Sequence, residues 1–406
     1  MPRPCLRLLL ALACSALTLI HCGGSGPGTD AARSAMPALR AAGDTIRISL
    51  RSTTRGRRRA EPVYATFTGL DGAGRFCRLD RTGRFLPCTA ADNVVHKDGR
   101  TWCDYAIPVQ GHAHLDLDRA QTVISGRLYL SVGSPLYLRV DEATGGLVQP
   151  DPANPTDPNR GIRFDFIELT LDGSGFHGNT TCVDQFGLPI AMAVFDRADP
   201  RRPVGRVGIV ESRSEVFRTY RAEMPPAFAA LADPQDLRIL APAHGAFGDA
   251  GRERGYLDPY IDRMWRRHRS EPLVLTPDEG RFTGRVDAED RLVFNGAGGP
   301  WVIQGRPTSQ EVFLGNGVLA RGSALEKVLG AQIAAMLNRH VLESPLDWRD
   351  AAGYYRQDPC NRYAEFWHRH SLGGKAYGFA YDDVNDQSSS LATPAPLEIR
   401  LDYRWD

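Results

Sequence analysis

Two acids stand out in the stretch Arg163 to Ile190, RFDFIELTLDGSGFHGNTTCVDQFGLPI. It reads as two strands joined by a glycine-rich turn. Each strand carries a carboxylate where a buried strand favours an apolar residue: Glu168 in the first, Asp184 in the second. Side chains alternate between the two faces of a strand. Phe164, Phe166, Glu168 and Thr170 therefore share one face, with Asp165, Ile167, Leu169 and Leu171 opposite. In the second strand Cys182 and Asp184 share a face, with Thr181 and Val183 opposite. If the strands pair, both carboxylates face one groove. Two acids on a groove suit hydrolysis of a glycosidic bond: one is protonated and donates to the leaving oxygen, the other stays ionised and activates water or attacks the sugar. The aromatic neighbours of Glu168 desolvate it and favour its neutral form. Asp184, beside threonine hydroxyls and Gln185, is the one suited to stay charged. Taken alone, an acid pair around a hairpin is more often a pair of solvent-facing or turn-forming side chains, so the surrounding residues have to decide.

The chain around them bounds the possibilities. Its 406 residues suggest two domains or one large composite one. Apolar residues make up 42% and charged residues 24%, enough for a real core. The net charge of +1 gives no pull toward nucleic acid. Arg3 and Arg7 followed by an apolar run from Leu8 to Ile20 read as an export signal over residues 1–22. The sequence LTLIHCGGSG fits a lipoprotein cleavage site with Cys22 as the lipidated residue, although His21 replaces the usual small residue. Residues 23–44 then form a small-residue tether. Cys77, Cys88 and Cys103 lie close together in a turn-rich region, where an exported protein is expected to form a disulfide. No CxxC or histidine cluster points to zinc. The run RSTTRGRRR, Arg51 to Arg59, reads as a solvated loop.

Residues 45–195 show short alternating strands such as TIRISL, VYATFTG and TVISGRLYLSV, the pattern of an all-β sandwich or barrel. Residues 196–374 mix helix and strand. Asp258-Pro259 is expected to open a helix with Asp as its cap. Ser323 with Glu326 forms a capping box ahead of a second helix. A third, near Asn361 to His370, stops at Gly373-Gly374. After Gly374, KAYGFAYDDV and LEIRLDYRW read as strands again, so residues 375–406 are expected to complete the first domain. Asn338–His340 at the end of the second helix is expected to be structural, with Arg339 in an ion pair. Trp265, Trp301, Trp348 and Trp367 are expected mostly in the core.

The segment NPTDPNRGIRFDFIELTLDGSGFHGNTTCVDQFGLPIAM resembles glycoside hydrolase family 64, the endo-β-1,3-glucanases related to thaumatin-like proteins. YLDPYIDRMW, TGRV, QIAAMLNRHVL, NRYAEFWH and GKAYGFAYDDV follow in the family's order. The resemblance implies a mainly β fold: a thaumatin-like β-barrel or sandwich domain plus a mixed α/β domain, flanking a wide groove for a glucan chain. It implies inversion at the anomeric carbon, with Glu168 as general acid and Asp184 as general base, and no metal or cofactor. Thr170 and Thr181 stand where the family has sugar- or water-contacting hydroxyls. Asp172 stands where Asn is usual, and His177 where an aromatic, often Trp, is usual. Both replacements bear on subsite affinity and product size. Of Asp382 and Asp383, one is expected to line the same groove and bond a sugar hydroxyl; the alternative is that they cap a strand end or bond local backbone amides.

The expected partner is β-1,3-glucan, with no nucleic acid, membrane contact only through Cys22, and a monomeric protein. The rival is a non-catalytic β-glucan-binding protein on the same fold, distinguished by whether sugar is released from laminarin. A third idea, a surface protein acting through the basic arm Arg55 to Arg59, predicts that function follows the arm and not the acids.

Overall fold

The structure, a computed structural model, describes residues 45–56, 60–343 and 348–406. The expected leader and tether, Cys22, and Arg57 to Arg59 of the basic run lie outside the described residues. Two sheets dominate. Their strands are β1 (Thr45–Ser52), β2 (Val63–Leu70), β3 (Phe76–Leu79), β4 (Phe85–Pro87), β5 (Ile107–Pro108), β6 (His112–Asp118), β7 (Val123–Val132), β8 (Arg163–Asp172), β9 (Gly175–Thr180), β10 (Ile190–Asp196), β11 (Asp199–Gly208), β12 (Ser390–Thr393) and β13 (Pro396–Tyr403). An eight-stranded sheet runs β12-β9-β8-β7-β2-β3-β4, with β5 also on β2; a five-stranded sheet runs β11-β10-β13-β1-β6. The late strand β13 lies between β1 and β10, parallel to β1 and antiparallel to β10, and β12 pairs with β9. The chain's last strands therefore sit inside sheets begun by its first.

Alternation explains how the sheets pack. Ala65 and Phe67 of β2, Leu128 and Leu130 of β7, and Ile167 and Leu169 of β8 point to one side, where they meet Ile48 and Leu50 of β1 and Ile399 and Leu401 of β13. Each such Phe, Leu or Ile side chain, nearly inaccessible to solvent, contributes about 1.5–3 kcal/mol by leaving water. The other face of the eight-stranded sheet is apolar at one end, where Tyr129, Phe164 and Phe166 join Tyr105 and Leu138, and polar at the other.

Beyond β11 lie helices α1 (Arg213–Glu223), α2 (Asp258–Ser270), α3 (Ala324–Arg339) and α4 (Arg362–His370), with a four-stranded antiparallel sheet. They enclose a second core in which Phe186, Tyr220, Phe366 and Trp367 pack ring against ring. The Ser323–Glu326 capping box forms as expected, and Asn361 caps α4 by accepting from the Ala364 amide. Asp258 does not cap α2: it is the first helical residue after Leu257, and its carboxylate instead accepts from the Ser309 hydroxyl at 2.6 Å. KAYGFAYDDV is not a strand. It is a series of turns, because Gly378 packs where a Cβ would meet Ala364 Cα at 2.9 Å and its amide donates to Asp382. The five described cysteines are all free thiols; Cys103 donates to Asn93 rather than to a disulfide partner.

Candidate active site

Glu168 is set by β8. Its strand neighbours Ile167 and Leu169 fill the sandwich core, which turns Glu168 to the opposite face beside Phe166 and Thr170. In register, Arg127 of β7 stands on one side of it and Asn179 of β9 on the other. The row extends through Thr68 of β2 to Arg78 of β3, and through Asn179 to Ser390 of β12. A polar rung thus crosses six strands of a sheet whose reverse side is apolar. Just before Arg127 the β7–β8 register slips, with two residues of β7 opposite Thr170. A bulge of this kind bends the strand and re-aims the side chains that follow. Ser125 sits there at φ +50°, and its amide donates to Thr170 Oγ1 at 3.4 Å.

Asp184 is not on the hairpin strand. That strand, β9, ends at Thr180, and the chain then leaves the sheet. The Cys182 amide donates to the Tyr377 carbonyl, and Thr181 Oγ1 accepts from the Val183 amide. Alternation therefore does not extend to Asp184. The loop that carries it is tied back to β8 by Asp165, whose carboxylate accepts from the Gly187 amide at 2.8 Å, the Leu188 amide at 3.0 Å and its neighbour Phe166. Gln185 adds a bond to the Phe164 carbonyl. Gly187 is required by this close approach, since a Cβ there would lie 2.0 Å from the Phe164 carbonyl oxygen. Asp165 is buried, and burial pushes its carboxyl up to about 7 against the three amide donors.

The two acids meet at one guanidinium. Arg127 Nη2 lies 3.1 Å from Glu168 Oε1, and Arg127 Nη1 lies 3.2 Å from Asp184 Oδ2. The guanidinium also rests on the Phe166 ring, 4.5 Å from its centroid, a contact that limits its rotation. His244, in the short turn Pro242–His244, approaches Asp184 from the other side, Nε2 to Oδ1 at 3.5 Å. The result is an alternating chain of Glu168, Arg127, Asp184 and His244. Burial pushes the Asp184 carboxyl up, but Arg127 and His244 outweigh it and hold the group at about 2. Burial lowers His244, and Asp184 more than offsets that, so the imidazole is raised overall. Glu168 is 3% exposed, while the side chains of Asp184 and His244 keep 20% and 29% of their surface. One acid is deep and the other reaches solvent.

The remaining predicted site residues are placed differently. Thr170 is buried and bound to the bulge, and Thr181 shapes the Asp184 loop. Asp172 accepts from both the amide and the hydroxyl of Ser174, whose oxygen also lies 3.0 Å from His177 Nε2. The hairpin turn thus occupies Asp172 with its own bonds. Asp382 does not line a groove. It is completely buried and bonds Arg339 at 2.9 Å, His368 at 3.0 Å and the Gly378 amide. A carboxylate with no solvent access cannot meet a sugar; it joins α3, α4 and the following turns. Arg339 is in the ion pair expected of it. Asp383 is partly exposed, and burial pushes its carboxyl up to about 6. Trp265, Trp348 and Trp367 are core residues, and Trp301 is half-buried.

Arg127, His244, Asn179 and Asp165 are parts of the site that the two-acid pattern did not reveal. Arg127 follows Gly126 and alternates with Tyr129 on the polar face of β7, a detectable signal for its side of the sheet. Nothing near His244 in the chain marks it. Among the described residues no group of three or more His, Cys, Asp or Glu side chains is arranged to hold a metal ion.

Comparison with known proteins gives the family. Residues 44–401 match the family profile described as Beta-1,3-glucanase. A glucan endo-1,3-beta-glucosidase of Arthrobacter sp. (strain YCWD3) is 31% identical over 295 residues, which is 69% of this chain and 52% of the relative; one of Cellulosimicrobium cellulans matches equally. The chain thus spans about half the length of these curated relatives. Among solved structures, a beta-1,3-glucanase domain from Clostridium beijerinckii superposes with a TM-score of 0.82 at 31% identity, covering 91% of this chain and 100% of that one. A laminaripentaose-producing beta-1,3-glucanase from Paenibacillus barengoltzii, crystallised with laminarihexaose, superposes at 0.70 with 31% identity over 90% of this chain and 76% of that one. The chain belongs to glycoside hydrolase family 64, the β-1,3-glucanases.

Proposed function

We propose that this protein is an endo-1,3-β-glucanase that hydrolyses β-1,3-linked glucose polymers by single displacement with inversion. The observation that carries the reading is the sharing of Arg127 by Glu168 and Asp184 in a chain of this family. The oligosaccharide complex of the Paenibacillus relative supports a laminarin-type substrate. The finer fold expectation belongs to the same reading: a thaumatin-type sandwich whose polar sheet face, beside the α/β part, forms the wall of a glucan groove. The leader over residues 1–22 fits an exported enzyme.

In this reaction Glu168 gives its proton to the leaving glycosidic oxygen as the bond from that oxygen to C1 breaks. Asp184 takes a proton from the water that attacks C1 from the opposite side. The product is one new reducing end and one new hydroxyl, and solvent then returns the proton from Asp184 to Glu168. A guanidinium between the carboxyls keeps them apart rather than in contact, as suits an inverting pair, which needs roughly 6.5–9.5 Å for the intervening water. Arg127 and His244 keep Asp184 anionic at every pH where the enzyme would work, so the base is always ready. Glu168 is buried beside Phe166 on the same face of β8.

The test is Glu168→Gln. It preserves shape and removes the proton, and hydrolysis of laminarin is expected to fall by at least about a hundredfold while laminari-oligosaccharide binding persists. Undiminished activity in that variant would reject the assignment.

A further inference from the structure

Asn179 lies directly opposite Glu168 in the β8–β9 ladder, so their Cβ atoms stand about 5 Å apart on one face. Asn179 is 3% exposed, and its amide oxygen is buried without a hydrogen-bond partner among the described residues. A buried acceptor left without a donor costs on the order of 1–3 kcal/mol, and such groups in folded proteins call for an explanation. The surroundings of Glu168 supply one. From β7, Arg127 donates to Glu168 Oε1, and Tyr129 stands two residues along the same face. From the loop beyond β9, Asp184 shares that guanidinium, with His244 behind it. His177 is on β9, opposite Thr170. Of these, the charge nearest to Glu168 is Arg127, which favours the carboxylate. A general acid needs the opposite bias.

An ionised carboxylate offers only acceptors, whereas a protonated carboxyl has one O–H donor. From Glu168, an amide oxygen at this register position can be satisfied only by the protonated form, and hydrogen bonding to the neutral form disfavours ionisation. We propose that Asn179 is a positioning residue whose amide oxygen accepts from the protonated Glu168 carboxyl, holding the proton in place against Arg127 until a glycosidic oxygen takes it. This rests on the reading of Glu168 as the acid, but the protonation itself can be measured without substrate.

The experiment follows the Glu168 side-chain carboxyl by carbon-13 NMR in the full chain, with the signal assigned by its loss in Glu168→Gln. In Asn179→Leu the titration midpoint should fall by about one unit, and the alkaline limb of kcat/KM on laminarin should fall with it. Asn179→Ala also removes the acceptor and should move both downward, and it decides the matter if the leucine variant does not fold. Midpoints that coincide in all folded proteins, or a rise in Asn179→Leu, overturn the proposal. Absence of laminarin hydrolysis by the unaltered protein would defeat the hydrolase reading instead, and the carboxyl titration would still decide the role of Asn179.

Discussion

Arg127 and Asp184 form a contact at 3.2 Å between a bulged strand of the sandwich and a loop that has already left it. The same guanidinium holds Glu168, so a single side chain contacts both carboxylates.

Replacing Arg127 by Met keeps much of the packing on Phe166 and removes the charge. Asp184 is held at about 2, below its usual 3.8, so its contribution to stability is complete above about pH 4 and is lost as pH falls toward 2. Without Arg127, burial is opposed by His244 alone, and the carboxyl rises. The acid limb of kcat/KM on laminarin should move to higher pH by one unit or more, and kcat should fall by about tenfold to a hundredfold. A pH–rate profile with an unmoved acid limb would show that Arg127 does not govern the base.

Asp165 anchors the loop that carries Asp184, the proposed base. An Asn in its place turns an NH2 toward at least one backbone amide that now has an acceptor, leaving a buried donor without a partner. Asp165→Asn should therefore lose about 1–3 kcal/mol of stability, read from urea unfolding at pH 8, where the native carboxylate is ionised and accepts from all three amides. Folded enzyme should also show lowered kcat with KM little changed, since the loop carrying Asp184 is loosened and the rest of the sheet face is not.

Asp382 separates a structural carboxylate from a sugar-binding one. Asp382→Ala leaves Arg339 charged and buried, and should cost about 3–5 kcal/mol, seen as a marked drop in Tm. At a temperature where the variant remains folded, its KM for laminarin should match that of the parent. A raised KM with unchanged Tm would return Asp382 to the groove.

How much of this was legible in the sequence follows from the range of each interaction. The face of Glu168 could be read because β8 keeps its alternation through Ile167, Leu169 and Leu171. Asp184 could not be placed, because the chain departs from the sheet after Thr180 while the sequence keeps a strand-like composition. KAYGFAYDDV misled for the same reason: its aromatic residues suit a strand, but Gly378 and Asp382 are claimed by α3 and α4. Arg127 meets Glu168 from 41 residues away, and His244 meets Asp184 through a turn with no local mark. Contacts of that kind are set by tertiary packing, which spacing along the chain does not encode. The tight bonding of Asp172 to Ser174, by contrast, is a local turn feature of the sequence DGSG.

The most direct test of the two-carboxylate mechanism is proton NMR of laminarin during the first minutes of hydrolysis. Direct displacement by water on a β-linkage predicts that the α-anomer of the new reducing end appears first and the β-anomer grows in by mutarotation. Initial release of the β-anomer, or no new reducing end at all, would contradict an acid at Glu168 working with a water-activating base at Asp184.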